Sequence, residues 1–150
     1  MASSFTAFRY HAVFSTKNRS RLITPDWEPE LYAYLAGILQ ETGGRLLEGN
    51  GTEDHVHLLF ALRADQSPAA ALRILKCNSS KWIHEKWRKR RDFEWQRGYF
   101  GTTVSHSQID RVRTYIQNQK EHHRRVSFQE EFVRLLKAHG IEYDERYIWN

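Results

Sequence analysis

The chain has little cysteine or proline, and each shortage narrows what it can be. A single cysteine, Cys77, excludes an intrachain disulfide and any cysteine-based zinc site. Three prolines, eight scattered glycines and no low-complexity stretch leave no visible linker, so the sequence reads as one domain over residues 1–150. The longest apolar run, Leu58 to Leu62, is far short of the ~20 residues that a membrane-spanning helix needs. The opening residues Met1-Ala2-Ser3-Ser4-Phe5-Thr6 lack a charged region followed by an apolar one, so no secretory signal is evident. These absences point to a cytoplasmic protein with no membrane partner.

What is present is a packed, basic chain. Hydrophobic residues make up 40% and aromatics 13%, enough for a real core in a domain of this length. The formal charge is +5 with a pI near 9.5, and its distribution is uneven. Between Ala69 and Arg97 nine basic residues stand against three acidic ones, a net +6, whereas residues 121–150 carry five basic and six acidic groups. A concentrated positive segment suits a phosphate-bearing partner. Lys17, Arg19, Lys86 and the run Arg88-Lys89-Arg90-Arg91 are the candidate DNA contacts. Trp82, Trp87 and Trp95 interleave with this region; at least one is expected in the core, and another could stack on an unpaired base.

Hydrophobic periodicity supplies the elements. Arg9 to Ser15 alternates as a strand, and Glu30 to Thr42 has helical spacing stopped by Gly43-Gly44. Arg45 to Glu48 reads as a short strand, Asn50-Gly51 as a hairpin turn and Glu53 to Arg63 as the return strand. Ser67-Pro68 opens a helix from about Ala69 to Lys89, and Tyr99 to Val104 reads as a fourth strand. Ser107 is a candidate cap for a helix reaching about His123, and Ser127 for another from Phe128 to His139, with an aromatic tail that packs back. The order βαββαβ followed by two additional C-terminal helices predicts an α+β fold with a ferredoxin-like antiparallel sheet.

The chemistry lies in two short motifs. In Asp54-His55-Val56-His57-Leu58-Leu59 the histidines are two apart, so on a strand both imidazoles face the same side, their Cα atoms about 6.8 Å apart. In Tyr115-Ile116-Gln117-Asn118-Gln119 a helix brings Tyr115 and Gln119 to one face, beside a stripe of Ile109, Val112 and Ile116. Two neutral imidazoles and an amide oxygen can hold a divalent metal, and a neighbouring phenol is a candidate nucleophile. Taken singly, the histidines fit a solvated sheet face, Tyr115 a packing position and Gln119 a surface amide. Asp54 points away from His55 by alternation, which favours a turn role over ligation.

Together the motifs resemble those of the single-tyrosine HUH transposases of small bacterial insertion sequences, including the REP-associated tyrosine transposases. The resemblance covers nearly the whole chain: Tyr10-His11-Ala12-Val13-Phe14-Ser15-Thr16-Lys17, the His55-Val56-His57 strand, Trp95-Gln96-Arg97-Gly98-Tyr99, and Tyr115 to Gln119 followed by His122-His123. It implies His55, His57 and Gln119 as metal ligands, Tyr115 as nucleophile, and Mg²⁺ or Mn²⁺ as cofactor. It further implies single-stranded DNA, with hairpin-bearing element ends, as substrate, and a homodimer as the assembly. His11, His122 and His123 are candidates for supporting the metal ligands. The rivals are a REP-associated or domesticated relative with the same cleavage chemistry, a non-catalytic ferredoxin-like nucleic-acid binder, and a small metallohydrolase in which water attacks.

Overall fold

Four strands make one antiparallel sheet in which, in chain order, the first lies between the third and the fourth and the second pairs with the third at the edge. The computed structural model describes residues 3–149; Met1 and Ala2 of the expected leaderless N-terminus, and Asn150 of the tail, lie outside them. The strands are β1 (Phe8–Ser15), β2 (Gly44–Gly51), β3 (His55–Leu62) and β4 (Phe100–Thr103). Helices α1 (Glu28–Glu41) and α2 (Pro68–Lys86) are the crossovers, and α3 (Ile109–Gln117), α4 (Gln119–His122) and α5 (Phe128–Ala138) follow β4. This is the expected ferredoxin-like α+β plan. Among the described residues no helix is long and apolar enough to cross a membrane.

Helices cover both faces of the sheet. Ala12, Phe14, Val56, Leu58 and Phe60 pack against Leu31, Leu35 and Leu39 of α1 and Leu72 and Leu75 of α2. On the opposite face Val13 and Phe100 pack against Phe128, Phe132 and Leu136 of α5, and Leu59 packs with Ile116 of α3. Every residue of β3 except Ala61 is therefore buried, His55 and His57 included. The alternative of a solvated histidine face does not hold.

Three local expectations change. Asn50 and Gly51 are not the hairpin turn; they pair with His57 and Val56, and the connection is Thr52-Glu53-Asp54. Only glycine fits at position 51, because a Cβ there would collide with the carbonyl oxygen of His55. The helix expected from Ser107 starts at Ile109 after a 3₁₀ turn, His106–Gln108. The Ser107 hydroxyl pairs with Ser105 instead of capping it. The helix then breaks at Asn118, giving three helices after β4 in place of two. Asn50 Nδ2 donates to the carbonyls of Ile116 and Gln117, which supplies these chain-end acceptors with partners. The third change is that α2 stops at Lys86, with Arg88–Arg90 in a separate 3₁₀ turn rather than on a helix face.

The expected cap at Ser127 is present, accepting from the backbone N–H of Glu130, and Ser67 caps the start of α2 by accepting from that of Ala70. A register shift between Leu46 and Glu48 marks a β-bulge, and the carbonyl of Leu47 accepts from Arg113 of α3. Lys120 bonds Glu28, Asn50 and the Gly51 carbonyl. Together these bonds seat α3 and α4 against the β2–β3 hairpin and so fix where Tyr115 and Gln119 project.

Candidate active site

His55 and His57 are each held through Nδ1, which turns both Nε2 atoms toward the same buried point. Asp54 Oδ1 lies 2.7 Å from His55 Nδ1, and Thr52 donates to the same carboxylate oxygen. His57 Nδ1 lies 2.9 Å from Nε2 of His11 on β1. A partner on Nδ1 fixes the orientation of each ring and leaves Nε2 facing the site. Asp54 thus does more than the turn role expected of it: its side chain folds back onto the following histidine.

The two Nε2 atoms face helices from the other end of the chain. Gln119 Oε1 stands 3.0 Å from His55 Nε2, while its Nε2 donates to Glu131 Oε2 at 2.9 Å. Glu131 Oε1 is 3.0 Å from His57 Nε2, 2.9 Å from His123 Nε2 and 3.5 Å from His55 Nε2. The Tyr115 hydroxyl donates to Glu131 Oε2, and its ring lies 5.7 Å from that of His57 and 5.8 Å from that of His122. His122 Nε2 lies 3.5 Å from Glu131. One chain therefore brings together Tyr115, His55, His57, Gln119 and all three supporting histidines.

Glu131 was not anticipated. It falls on the buried stripe of α5, where Phe128, Phe132 and Leu136 are also buried. A carboxylate at such a position is costly unless it is paired. That conflict between charge and periodicity is the signal in the sequence that singles it out.

The electrostatics follow from burial. Burial pushes the His11 imidazole down to about 3, helped by the charge of His57. It pushes His57 down to about 4 against the pull of Glu131. Both are neutral imidazoles, the form that binds metal. Burial would raise Glu131, but hydrogen bonds from His123 and His57 hold it well below the usual carboxylate range. His123, which burial alone would lower, is raised by the same pairing. Burial and then the Glu131 charge push the Tyr115 hydroxyl well above its ordinary value.

The metal-free protein should therefore lose stability as pH falls. Below pH 6.5 the unfolded chain takes up protons at His11 and His57 that the folded chain refuses. Each contributes a loss of about 1.4 kcal/mol per pH unit between pH 6.5 and its folded value. His123, raised when folded, offsets this only above pH 6.5. The urea midpoint of EDTA-treated protein should fall markedly from about pH 7 to about pH 5; a flat profile would contradict the assignment.

The donors fit a divalent cation. His55 Nε2 and Gln119 Oε1, an imidazole nitrogen and an amide oxygen that can both ligate a divalent ion, meet at 3.0 Å. Separations near 3.0 Å also match adjacent ligands around an octahedral ion with bonds of about 2.1 Å. One ligand atom from each of His55, His57, His123 and Glu131 lies within 4.8 Å of the others.

The buried His-x-His pair lies on β3, a central strand of the ferredoxin-like sheet, and faces a tyrosine on a later helix. Residues 4–119 match the profile of the family described as "Transposase IS200 like", and the chain belongs to that family. It is 27% identical over 118 residues to the transposase for insertion sequence element IS200 of Salmonella typhimurium, covering 75% of this chain and 77% of the relative. The IS200 transposase of Salmonella typhi matches to the same extent. In fold it is similar to a crystal structure assigned as a transposase from Deinococcus radiodurans, with TM-score 0.62 and 23% identity over 79% of this chain and 95% of that one. It is also similar to a REP-associated tyrosine transposase bound to a REP hairpin, with TM-score 0.60 and 14% identity over 82% of this chain and 74% of that one.

Most of the candidate DNA-contacting residues sit apart from this cluster. Lys86 and the Arg88–Arg91 run lie at the end of α2, which packs on the sheet face opposite His55 and His57. Lys17 pairs with Glu94 at 2.9 Å, Lys86 with Glu30 at 2.6 Å and Arg90 with Asp26 at 3.3 Å. Arg19 lies over the Trp149 ring. Arg90 lies over the rings of Trp27 and Trp87. Trp82, Trp87 and Trp95 are all partly buried against the α1–α2 core. Nearer the cluster, a cleft of about 440 Å³ is lined by Arg21, Asp54, Lys120, His123 and Arg124.

Proposed function

We propose that this chain is a metal-dependent transposase of single-stranded DNA that cuts and rejoins strands through a 5′-phosphotyrosine bond to Tyr115. The observation that carries the proposal is the convergence of the Tyr115 phenol with His55, His57 and Gln119 in one buried cluster of an IS200-like chain. His55, His57 and Gln119 would hold Mg²⁺ or Mn²⁺, since imidazole and amide oxygen without thiolate suit these ions in a cell. A bound ion would polarise the scissile phosphate and offset the charge gathering on it.

The residues do the rest. The Tyr115 oxygen gives up its proton and attacks phosphorus, the bond to the 3′ oxygen breaks, and that oxygen leaves as a free 3′-hydroxyl after taking up a proton. The phosphotyrosine ester keeps the bond energy, so another 3′-hydroxyl can reverse the step on a new strand without ATP. Asp54 and His11 hold the imidazoles in register through Nδ1, and Glu131 holds the Tyr115 hydroxyl beside them. The cleft lined by Arg21, Lys120 and Arg124 is the proposed path of the strand. A hairpin-bearing end as substrate, a homodimer as the working form and the cytoplasm as location complete the reading. A REP-associated or domesticated role with the same chemistry is the second reading, favoured by the fold shared with the hairpin-bound relative.

A denaturing gel with labelled single-stranded hairpin oligonucleotide and Mn²⁺ tests the proposal. A protein-linked DNA band is expected. Cleavage without linkage would indicate water as nucleophile, and binding without cleavage would leave a nucleic-acid-binding protein.

The basic run has its own test. Lys89 and Arg91 are exposed and have no ion pair among the described residues, unlike Lys17, Lys86 and Arg90. Reversing both charges should weaken DNA binding and lower the magnitude of the log-log salt slope by about 0.7 for each phosphate that is no longer neutralised. An unchanged slope would make the run a solvated surface.

A further inference from the structure

We infer that Glu131 is itself a metal ligand, an anionic donor supplied by α5 from beyond the 4–119 span that matches the family profile. The inference rests on the metal-dependent reading above and deepens it. His55, His57 and Gln119 are all neutral donors, so on their own they would leave a dication uncompensated in a site where each of them is fully buried. Glu131, 2% exposed, is the one carboxylate among the described residues whose oxygen lies within 3.5 Å of both His55 and His57 Nε2.

Its geometry is that of a ligand rather than of a distant counter-ion. Oε1 sits 3.0 Å from His57 Nε2, again close to the ~3.0 Å expected between neighbouring ligands on an octahedral ion. A hard carboxylate oxygen in the set also favours Mg²⁺ or Mn²⁺ over softer ions. The other oxygen, Oε2, accepts from the Tyr115 hydroxyl and from Gln119 Nε2. One side chain thus ties the metal donors to the nucleophile. His123, bonded to Oε1 from the loop after α4, orients the carboxylate and is a positioning residue.

Calorimetric titration of the full chain with MnCl₂ alone tests this without reference to cleavage. The parent should bind one ion, and Glu131→Gln, which keeps size and removes charge, should weaken binding by at least about tenfold. If Glu131→Gln binds like the parent while His57→Ala loses the ion, Glu131 is no ligand and the metal-dependent reading survives. If the parent binds no Mn²⁺, both fall. An infrared difference spectrum of the unsubstituted chain serves should the variant fail to fold. Mn²⁺ should shift a carboxylate stretch, and the shift should persist in Asp54→Asn; an unaltered carboxylate region would overturn the inference.

Discussion

Tyr115→Phe is expected to bind single-stranded DNA and Mn²⁺ like the parent and to form no covalent adduct, with strand cleavage down at least about 10⁴-fold, as for loss of other enzymatic nucleophiles. The ring stays in place because its packing with the Leu59, Val104 and Ile116 cluster does not involve the hydroxyl. Glu131 Oε2 loses one donor and keeps Gln119 Nε2, so the fold should lose only about 1 kcal/mol. An adduct that survives the substitution would move the nucleophile to another tyrosine, with Tyr143 and the exposed Tyr147 the next to test. Measuring binding by anisotropy and linkage on a denaturing gel separates the loss of chemistry from the loss of affinity.

His57→Ala should be as damaging to cleavage and far more damaging to the fold. The imidazole is fully buried between His11 and Glu131, so its removal leaves a cavity and strips a partner from each. A cost of about 2–5 kcal/mol is expected from cavity and unsatisfied groups together. At a temperature where the variant remains folded, cleavage should still be undetectable, and EDTA should reproduce that loss in the parent with rescue by Mn²⁺. Gln119→Ala should be milder, because a neutral amide is the weakest of the proposed ligands. Tyr115 and Gln119 meet the histidines of their own chain, so mixing His57→Ala with Tyr115→Phe subunits should restore nothing. Recovered cleavage in such a mixture would mean that a partner's helix completes the site.

The ferredoxin-like plan was legible because its signals are local. Alternation in β1 and β3, the glycine stop after α1 and the Ser67-Pro68 start of α2 each depend on a few neighbouring residues. What escaped was set by pairings distant in sequence. Asn50 reaches 66 residues along the chain to the Ile116 carbonyl at the break of the tyrosine helix, and no periodicity within 107–123 encodes that. The Asn50-Gly51 turn signal was overridden because Gly51 is needed where β2 passes close to the His55 carbonyl.

The site divides in the same way. His55 and His57 were visible from strand alternation, and Tyr115 and Gln119 from helical spacing. Asp54 was discounted because alternation describes strands, and Asp54 lies in the connection before β3, free to turn back onto His55 Nδ1. Glu131 lies 74 residues from His57, on a helix whose amphipathic pattern reads as packing alone. Its placement among Phe128, Phe132 and Leu136 was the clue, a charge in a stripe that otherwise excludes water.

The central claim, attack by the Tyr115 oxygen on a DNA phosphate, is tested most directly by locating the covalent bond. The protein would be incubated with a single-stranded hairpin oligonucleotide and Mn²⁺, digested with nuclease and protease, and mapped by tandem mass spectrometry. A nucleotide-phosphate remnant on the peptide containing Tyr115, and on no other tyrosine, is the predicted result. Cleaved DNA with an unmodified Tyr115 peptide would contradict it.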